Sequence, residues 1–203
     1  MADSRHADDG PQRSNQRRGV FPGSFNPPTR AHIALSEAAM RQHRLDVLVW
    51  SVSRVALAKE DVQRPRLGDR LGVLEEVAAH LDWLEIAVTD AQLLSDISAG
   101  FDVIVMGADK WHQIHDPVFY GGDQTRRDAA IDALPTVAIA ARPPFDCPAE
   151  LALALPDWVA KVSSTAARTV DPSLMAAPAA RFDAATGAWT DPVRYEAWLI
   201  QPR

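Results

Sequence analysis

The sequence predicts an α/β fold in which a parallel β-sheet is covered by helices on both faces. Apolar segments of strand length alternate along the chain with segments whose apolar residues have helical spacing. The strand-like segments, such as residues 103–106 and 137–141, are almost wholly apolar, as expected for strands buried on both faces. Hydrophobic residues make up 47% of the 203 residues, which is enough to form a core.

The first predicted elements are a strand, a bend and a helix. The strand covers residues 18–21, and Pro22 and Gly23 end it, because the proline- and glycine-containing stretch that follows cannot continue a strand. The helix covers residues 30–42, where apolar residues are spaced three and four apart. Thr29 or Asn26 lies near its N-terminus, a position that favours both residue types.

The same alternation continues along the chain. Apolar runs bounded by turn residues predict strands, and apolar spacings of three and four predict helices. The further strands are predicted at residues 45–50, 84–88, 101–106, 136–141 and 158–162. The further helices are predicted at residues 67–81, at 91–99, from Asp109 onward and at 124–133. Beyond Thr169 the chain is rich in Ala and Pro, and its periodicity is weak.

These elements suggest three regions. Residues 1–17 are polar and predict a disordered tail, residues 18–170 form the main domain, and residues 171–203 form a C-terminal extension packed on it. The predicted loop 51–66 is long for a compact domain, which favours a functional role. Of its basic residues, Lys59 is the one that we expect to contact a substrate.

Composition excludes several classes of function. The net charge of −6 and the pI near 5.5 argue against binding to duplex DNA, which requires a concentrated basic face. No apolar run is long enough to span a bilayer, and the first residues lack the apolar segment of a secretory signal. Cys147, the single cysteine, excludes an internal disulfide framework. We expect a cytoplasmic protein without nucleic-acid or membrane partners, and a homo-oligomer is left open.

The bend after the first strand is suited to binding phosphate. Ligands of parallel α/β sheets bind outside the carboxyl ends of strands, and a helix N-terminus there offers unpaired N–H groups to an anion. Gly23 and Ser24 are small enough to let the backbone approach a phosphate group. His32 lies on the same face of the first helical turn as Thr29, and its imidazole can donate a hydrogen bond to a phosphoryl oxygen.

The stretch GSFNPPTRAH, residues 23–32, resembles the (H/T)xGH motif of the nucleotidyltransferase superfamily, together with the GxF(D/N)P sequence that precedes it. The glycine, phenylalanine, proline and final histidine are in register. Thr29 stands where nicotinate-nucleotide members commonly have histidine, and it is similar to the threonine of phosphopantetheine adenylyltransferases. Ala31 replaces the glycine of the motif and adds a methyl group where the nucleotide passes close. The resemblance implies a Rossmann-like sheet with a nucleotide site at this bend.

A second phosphate-binding segment is predicted at residues 163–168. Its sequence, SSTAAR, follows the last predicted strand, and hydroxyl residues at a strand-to-helix junction are favourable N-caps whose neighbouring N–H groups point at an anion. Arg168, one turn further on, offers a forked cation. The segment resembles the (I/V)SSTx(I/V)R motif that closes the triphosphate site of the same superfamily, with Ala167 in place of a branched residue.

The stretch IVMGADKW, residues 104–111, is similar to the IxGxD segment of nicotinate or nicotinamide mononucleotide adenylyltransferases. By this resemblance Asp109 hydrogen-bonds a ribose or a bound substrate, and Trp111 stacks on the heteroaromatic ring of the acceptor. A helix cap and core packing are the respective alternatives for these two residues. Two nearby histidines form no recognisable ligand motif, and no protein metal site is predicted.

The resemblance implies a nucleotidyltransferase that transfers AMP from ATP to a phosphate-bearing acceptor, nicotinate mononucleotide first among the candidates, and releases pyrophosphate. Mg²⁺ is expected to enter with ATP. The residues expected to be catalytic are His32, Thr29 and Arg168. The residues expected to bind ATP are Gly23, Ser24, Phe25, His32, Gly107, Asp109, Ser163, Ser164, Thr165 and Arg168. The residues expected to contact the acceptor are Lys59, Asp109 and Trp111.

Three alternatives stay open at this point. The acceptor can be another phosphate compound, as in cytidylyl- or phosphopantetheine-type transferases. The chain can be a nucleotide-binding sensor whose Ala31 and Ala167 have removed activity, or a structural domain without a nucleotide. The transferase hypothesis requires that residues 23–32 and 163–168 face each other across one pocket.

Overall fold

The computed structural model describes residues 16–54 and 64–201. Within them the chain forms a five-stranded sheet with the order β3-β2-β1-β4-β5, in which every pairing is parallel. The strands are β1 (Arg18–Pro22), β2 (Val47–Ser53), β3 (Leu84–Thr89), β4 (Val103–Gly107) and β5 (Thr136–Ala140). The predicted α/β fold is confirmed. Most of the predicted N-terminal tail, and the predicted substrate contact Lys59, lie outside the described residues.

Eight α-helices accompany these strands in the part of the chain that the structure describes. They are α1 (Arg30–His43), α2 (Leu67–Ala78), α3 (Leu94–Ile97), α4 (Ala108–Ile114), α5 (Gln124–Asp132), α6 (Ser164–Thr169), α7 (Ala177–Thr186) and α8 (Pro192–Leu199). The five helices predicted before β5 are all present, with ends displaced by at most three residues. No helix among the described residues is both long enough and apolar enough to cross a membrane.

The sheet is buried on both faces, which explains why its strands read as continuous apolar runs. Val20, Leu48 and Ile104 are fully buried. Strand β2 continues past its predicted end at Trp50, because Ser51 and Val52 pair with β3 and are buried. The carbonyl of Ser51 also accepts a hydrogen bond from the backbone N–H of Gly23, which satisfies a polar group at the end of the strand.

Helix α1 places the first motif against the sheet. Its buried apolar residues Ala31, Leu35, Ala38 and Ala39 follow the spacing of one helix face. On that face the hydroxyl of Ser36 accepts a hydrogen bond from the indole N–H of fully buried Trp50 at 2.8 Å. Burying so large an apolar side chain stabilises the fold by roughly 3 kcal/mol, provided that its N–H has a partner.

The predicted strand at residues 158–162 is wrong. The structure has a short 3-10 helix, Val159–Lys161, at this place. Val159 and Val162 are buried whereas Ala160 and Lys161 are exposed, so the apolar spacing is three and not two. The N–H of Val159 donates to the carbonyl of Pro156, which starts the turn before a strand can form.

The C-terminal extension forms a helical pair, α7 and α8, that packs on α2. Its apolar residues share a core cluster with α2 and α6, composed of Val73, Ala167, Met175, Ala179, Ala188, Trp189 and Tyr195. The hydroxyl of Tyr195 donates to Asp69 and accepts from the backbone N–H of Arg66 at 2.9 Å. Burial, together with the hydrogen bond to Asp69, raises the pKa of Tyr195 to about 12.

The turn between α7 and α8 delivers an indole group to the first motif. The buried carboxylate of Asp183 accepts hydrogen bonds from the backbone N–H groups of Trp189 and Thr190, at 2.7 and 3.1 Å, and thereby fixes the turn. The indole N–H of Trp189 then donates to the side-chain oxygen of Asn26 at 2.6 Å. The extension therefore supports a residue of the bend that follows β1.

Candidate nucleotide-binding site

A large cleft opens at the carboxyl ends of β1 and β4. In the order β3-β2-β1-β4-β5 these two strands are neighbours whose connections leave in opposite directions, and this switch point is where open α/β sheets bind ligands. The cleft has a volume of about 1070 Å³, large enough for a nucleotide and a second small molecule. Its wall includes residues from both predicted phosphate-binding segments.

The packing of Phe25 shapes the bend that follows β1. This residue has a positive φ of 43°, which is unusual for a residue with a side chain, and only 1% of its surface is exposed. Its ring stacks on Trp50 with a centroid distance of 4.5 Å and an interplanar angle of 10°. A Cβ atom on Gly23 would lie 3.0 Å from the Phe25 ring, so the ring occupies the space beside the glycine. Phe25 is thus a core residue that shapes the bend, and it lines the cleft together with Gly23 and Ser24.

His32 lines the cleft next to an aromatic cluster. Its ring centroid lies 5.1 Å from that of Phe25 and 5.9 Å from that of Phe21. Burial, with a smaller contribution from the positive charge of Arg142, lowers the pKa of His32 to about 4. The imidazole is therefore neutral at pH 7.

The hydrogen bonds of His32 assign its tautomer. The backbone N–H of Thr29 donates to Nδ1 of His32 at 2.9 Å, in the reciprocal arrangement of a capping box at the start of α1. Because Nδ1 accepts, the proton of the neutral ring is assigned to Nε2. The Nε2–H group is then the donor that His32 can offer to a ligand.

Thr29 lies against Nδ1 of the His32 imidazole. It is fully buried, and its hydroxyl lies 2.8 Å from Nδ1 of His32. A buried hydroxyl that already faces the imidazole cannot contact a phosphate directly in this arrangement. Among the predicted catalytic residues, Thr29 has the position of one that acts through His32.

The second segment is organised around a helix cap. Ser163 is the N-cap of α6, and its side-chain oxygen accepts from the backbone N–H of Ala166 at 3.0 Å. The backbone N–H groups of Ser164 and Thr165 have no acceptor within the described ranges 16–54 and 64–201, as helix geometry dictates for a first turn. Both residues line the cleft, so these donors are available to an anion.

The two segments are in direct contact. The hydroxyl of Ser164 donates to the carbonyl of Pro27 at 2.8 Å, and the guanidinium of Arg168 donates to the carbonyl of Asn26. Arg168 also lies 3.3 Å from the hydroxyl of Thr165. The spatial condition of the sequence hypothesis is met, because both segments line the same cleft and are hydrogen-bonded to each other.

Some residues at and after the end of β4 line the cleft, whereas others pack against the core. Gly107 and Asp109 line the cleft, and a Cβ atom on Gly107 would lie 2.4 Å from Oδ1 of Asp109, so this carboxylate lies close over the glycine. Asp109 is not the cap of α4, because Gly107 occupies that position. Trp111 is not among the residues that line the cleft. Its indole packs against a core cluster and meets the ring of His115 at 4.5 Å.

Sequence reasoning missed several cations of the cleft. Among the described residues, the cationic side chains that line it are Arg54, Arg70, Lys110, Arg142 and Arg168, against one carboxylate, that of Asp109. This excess of positive charge in a protein of net charge −6 favours an anionic ligand. Arg142 lies two residues after the end of β5, so its position near a strand's carboxyl end was a signal that the sequence offered.

The described residues make no cage for a metal ion. No group of three or more His, Cys, Asp or Glu side chains converges in the part of the chain that the structure describes. Asp109 is the one carboxylate among the described residues lining the cleft. This donor set fits Mg²⁺ only as an ion held largely by phosphate oxygens and water, with at most one carboxylate from the protein.

The parallel sheet, the switch-point cleft and the contact between residues 23–32 and 163–168 define a Rossmann-like α/β protein with a candidate nucleotide site. The family model described as cytidylyltransferase-like matches residues 20–170. The chain belongs to this family, and the resemblance seen in its motifs is confirmed at that level.

Curated proteins with sequences similar to this chain share the same name. Over 60 residues the chain is 42% identical to the probable nicotinate-nucleotide adenylyltransferase of Brucella suis biovar 1, a match that covers 30% of this chain and 31% of the relative. Over 111 residues it is 32% identical to the protein of the same name from Mesorhizobium japonicum, covering 48% of this chain and 55% of the relative. The chain thus spans about a third of the length of the first relative and about half of the second.

Two solved structures share the fold at low sequence identity. The Plasmodium falciparum nicotinic acid mononucleotide adenylyltransferase complexed with NaAD has a TM-score of 0.56 and 9% identity, covering 84% of this chain and 95% of that chain. The same protein complexed with APC has a TM-score of 0.52 and 11% identity, covering 91% and 94%. These similarities establish the Rossmann-like fold.

Proposed function

We propose that this protein transfers AMP from ATP to the phosphate of an acceptor mononucleotide, nicotinate mononucleotide, and releases pyrophosphate. The observation that carries the proposal is the contact between residues 23–32 and 163–168 on one cation-rich cleft. The names of the curated relatives support the choice of acceptor. The cleft volume of about 1070 Å³ is compatible with two nucleotides bound side by side.

In the proposed reaction a phosphate oxygen of the acceptor attacks the α-phosphorus of ATP in line. A new P–O bond forms, the bond between the α-phosphorus and the bridging oxygen breaks, and pyrophosphate departs with the electron pair. No covalent enzyme intermediate is needed, so catalysis consists of positioning and charge stabilisation. Mg²⁺ entering with ATP would be held mostly by phosphate oxygens and water, with at most Asp109 from the described residues, and would neutralise part of the phosphate charge.

The protein's own groups have distinct roles in this proposal. His32 donates from Nε2–H to a phosphoryl oxygen, and its low pKa keeps the ring neutral, with the tautomer fixed by Thr29. The unpaired N–H groups of Ser164 and Thr165, with the guanidinium of Arg168, hold the phosphates that leave as pyrophosphate. Arg168 is fixed beforehand by Asn26, which lowers the entropy lost on binding.

The test is pyrophosphate release with purified protein across a matrix of donors and acceptors. ATP and CTP serve as donors; nicotinate mononucleotide, nicotinamide mononucleotide and phosphopantetheine serve as acceptors. We expect release with ATP and nicotinate mononucleotide, and a loss of about 100-fold or more in kcat for His32→Ala. His80→Ala, at an exposed position in the turn that follows α2, is the matched control and should keep full activity. Release with a different pair would reassign the substrate, and an unchanged His32→Ala would remove His32 from the mechanism.

A second candidate function is nucleotide binding without turnover. Ala31 favours it, since this residue lines the cleft where the motif has glycine, and its methyl group narrows the path of the nucleotide. ATP binding detected by calorimetry, combined with no pyrophosphate release on any acceptor, would select this function. Restored turnover in Ala31→Gly would identify the methyl group as the cause.

A further inference from the structure

Arg70 is a buried cation that lacks a partner among residues 16–54 and 64–201. Helix α2 carries it, its side chain lines the cleft, and only 6% of its surface is exposed. Its Nε atom is buried without a hydrogen-bond partner. The ion pairs found in the described parts of the chain involve other arginines.

A lone buried charge is unfavourable in a folded protein. Burial lowers the pKa of Arg70, but a guanidinium still stays protonated at neutral pH, so this residue cannot escape the cost by losing its proton. Buried charges are normally paired, and an unpaired one has lost its hydration without a compensating contact. An anion that enters the cleft would supply that contact.

The surroundings of Arg70 identify the class of anion. Within the described part of the chain, the cleft has four other cationic side chains and one carboxylate, Asp109, which lies over Gly107 at the end of β4. The ligand must therefore bring several negative oxygens of its own. The guanidinium of Arg70 lines the cleft, and its planar array of N–H donors suits the oxygens of a phosphate group.

We propose that Arg70 binds a phosphate group of one of the two reacting nucleotides, either the triphosphate of the donor or the phosphate of the acceptor. The proposal rests on the proposed function for the identity of these ligands. It adds a contact from the side of α2 to those made by the first turns of α1 and α6. Bound substrate would then give Arg70 the anionic partner that it lacks among residues 16–54 and 64–201.

The test compares Arg70→Met and Arg70→Lys with the wild-type protein. Methionine keeps the apolar stem without the charge, and lysine keeps the charge without the fork. Arg126→Met, exposed on α5 and outside the cleft, is the control for the change in net charge. Urea unfolding is measured without ligand, and calorimetry measures the affinities for ATP with Mg²⁺, for nicotinate mononucleotide and for inorganic pyrophosphate.

We expect Arg70→Met to unfold at the same or a higher urea concentration than the wild type, because it removes an unpaired buried charge. We also expect its affinity for one ligand to fall by about 10- to 100-fold, with Arg70→Lys in between and Arg126→Met unchanged. A loss confined to ATP and pyrophosphate assigns Arg70 to the triphosphate, and a loss confined to nicotinate mononucleotide assigns it to the acceptor.

Two results would overturn the proposal. A large drop in the urea midpoint of Arg70→Met, with ligand affinities unchanged, would show that Arg70 has a structural partner. Wild-type affinities for all three ligands in both Arg70 variants would show that it binds none of them. The proposed function can fail while this proposal holds. If the wild-type protein releases no pyrophosphate but Arg70→Met binds ATP more weakly than the wild type, only the transferase assignment is lost.

Discussion

The neutral, buried state of His32 makes the protein less stable in mild acid. The pKa of His32 is lowered to about 4 in the folded protein, whereas the pKa of a histidine in an unfolded chain is about 6.5. Between these values the unfolded chain binds a proton that the folded protein does not, so the free energy of unfolding falls as the pH falls from about 6.5 to about 4. At pH 5 the pH lies about 1.5 units below the pKa of the unfolded-state histidine. The free energy of unfolding is then lower by about 2 kcal/mol.

The assay is urea unfolding of wild type and His32→Gln at pH 7.5 and pH 5. Glutamine does not titrate, and its side-chain oxygen can still accept the N–H of Thr29. We expect the wild type to lose about 2 kcal/mol more than the variant between the two pH values, or roughly 4–8 °C more in Tm. Comparing the two losses cancels other groups, such as His43, whose pKa is also lowered by burial. Equal losses in both proteins would refute the assignment of a buried neutral imidazole.

Three further substitutions test the contacts around the site. Ser163→Ala removes the cap of α6 and should lower the free energy of unfolding by about 1 kcal/mol in urea titrations; an unchanged value would contradict the cap. Trp189→Phe leaves the buried oxygen of Asn26 without its donor and should cost about 1–3 kcal/mol by the same measurement, unless a water replaces the indole N–H. Thr29→Val keeps the side-chain shape but removes the hydroxyl beside His32. We therefore expect kcat for pyrophosphate release to fall by about three- to tenfold with KM little changed. A rise in KM alone would instead show that Thr29 contributes to ground-state binding of the substrate.

Local signals located both segments that line the cleft and are predicted to bind phosphate. The Pro- and Gly-containing bend, the helix start at Thr29 and the hydroxyl cluster at Ser163 each act within a few residues of chain, so they are legible in sequence. The helices of the C-terminal extension had similar signals that were missed. Asp191 caps α8 directly before a proline, and Gly187 ends α7 with a positive φ of 75°.

Other outcomes depended on packing between distant segments. Phe25, predicted to bind ATP, lines the cleft and also stacks its buried ring on Trp50 of the neighbouring strand. Trp111, predicted to stack on a ligand, packs against a core cluster and His115 and is not among the residues that line the cleft. An aromatic side chain offers the same apolar area to a ligand or to a core, and its sequence neighbours do not determine which one it meets.

The sequence by itself determined the alternation of strands and helices, the parallel sheet and the two segments predicted to bind phosphate, because hydrophobic periodicity and helix capping are short-range properties. Only the tertiary structure decided that Arg70 is buried without a partner among residues 16–54 and 64–201, and that Trp189 reaches Asn26, 163 residues away in the chain. Burial and long-range hydrogen bonds are set by which elements pack together. That choice is made by the free energy of the whole fold, and no single window of sequence contains it.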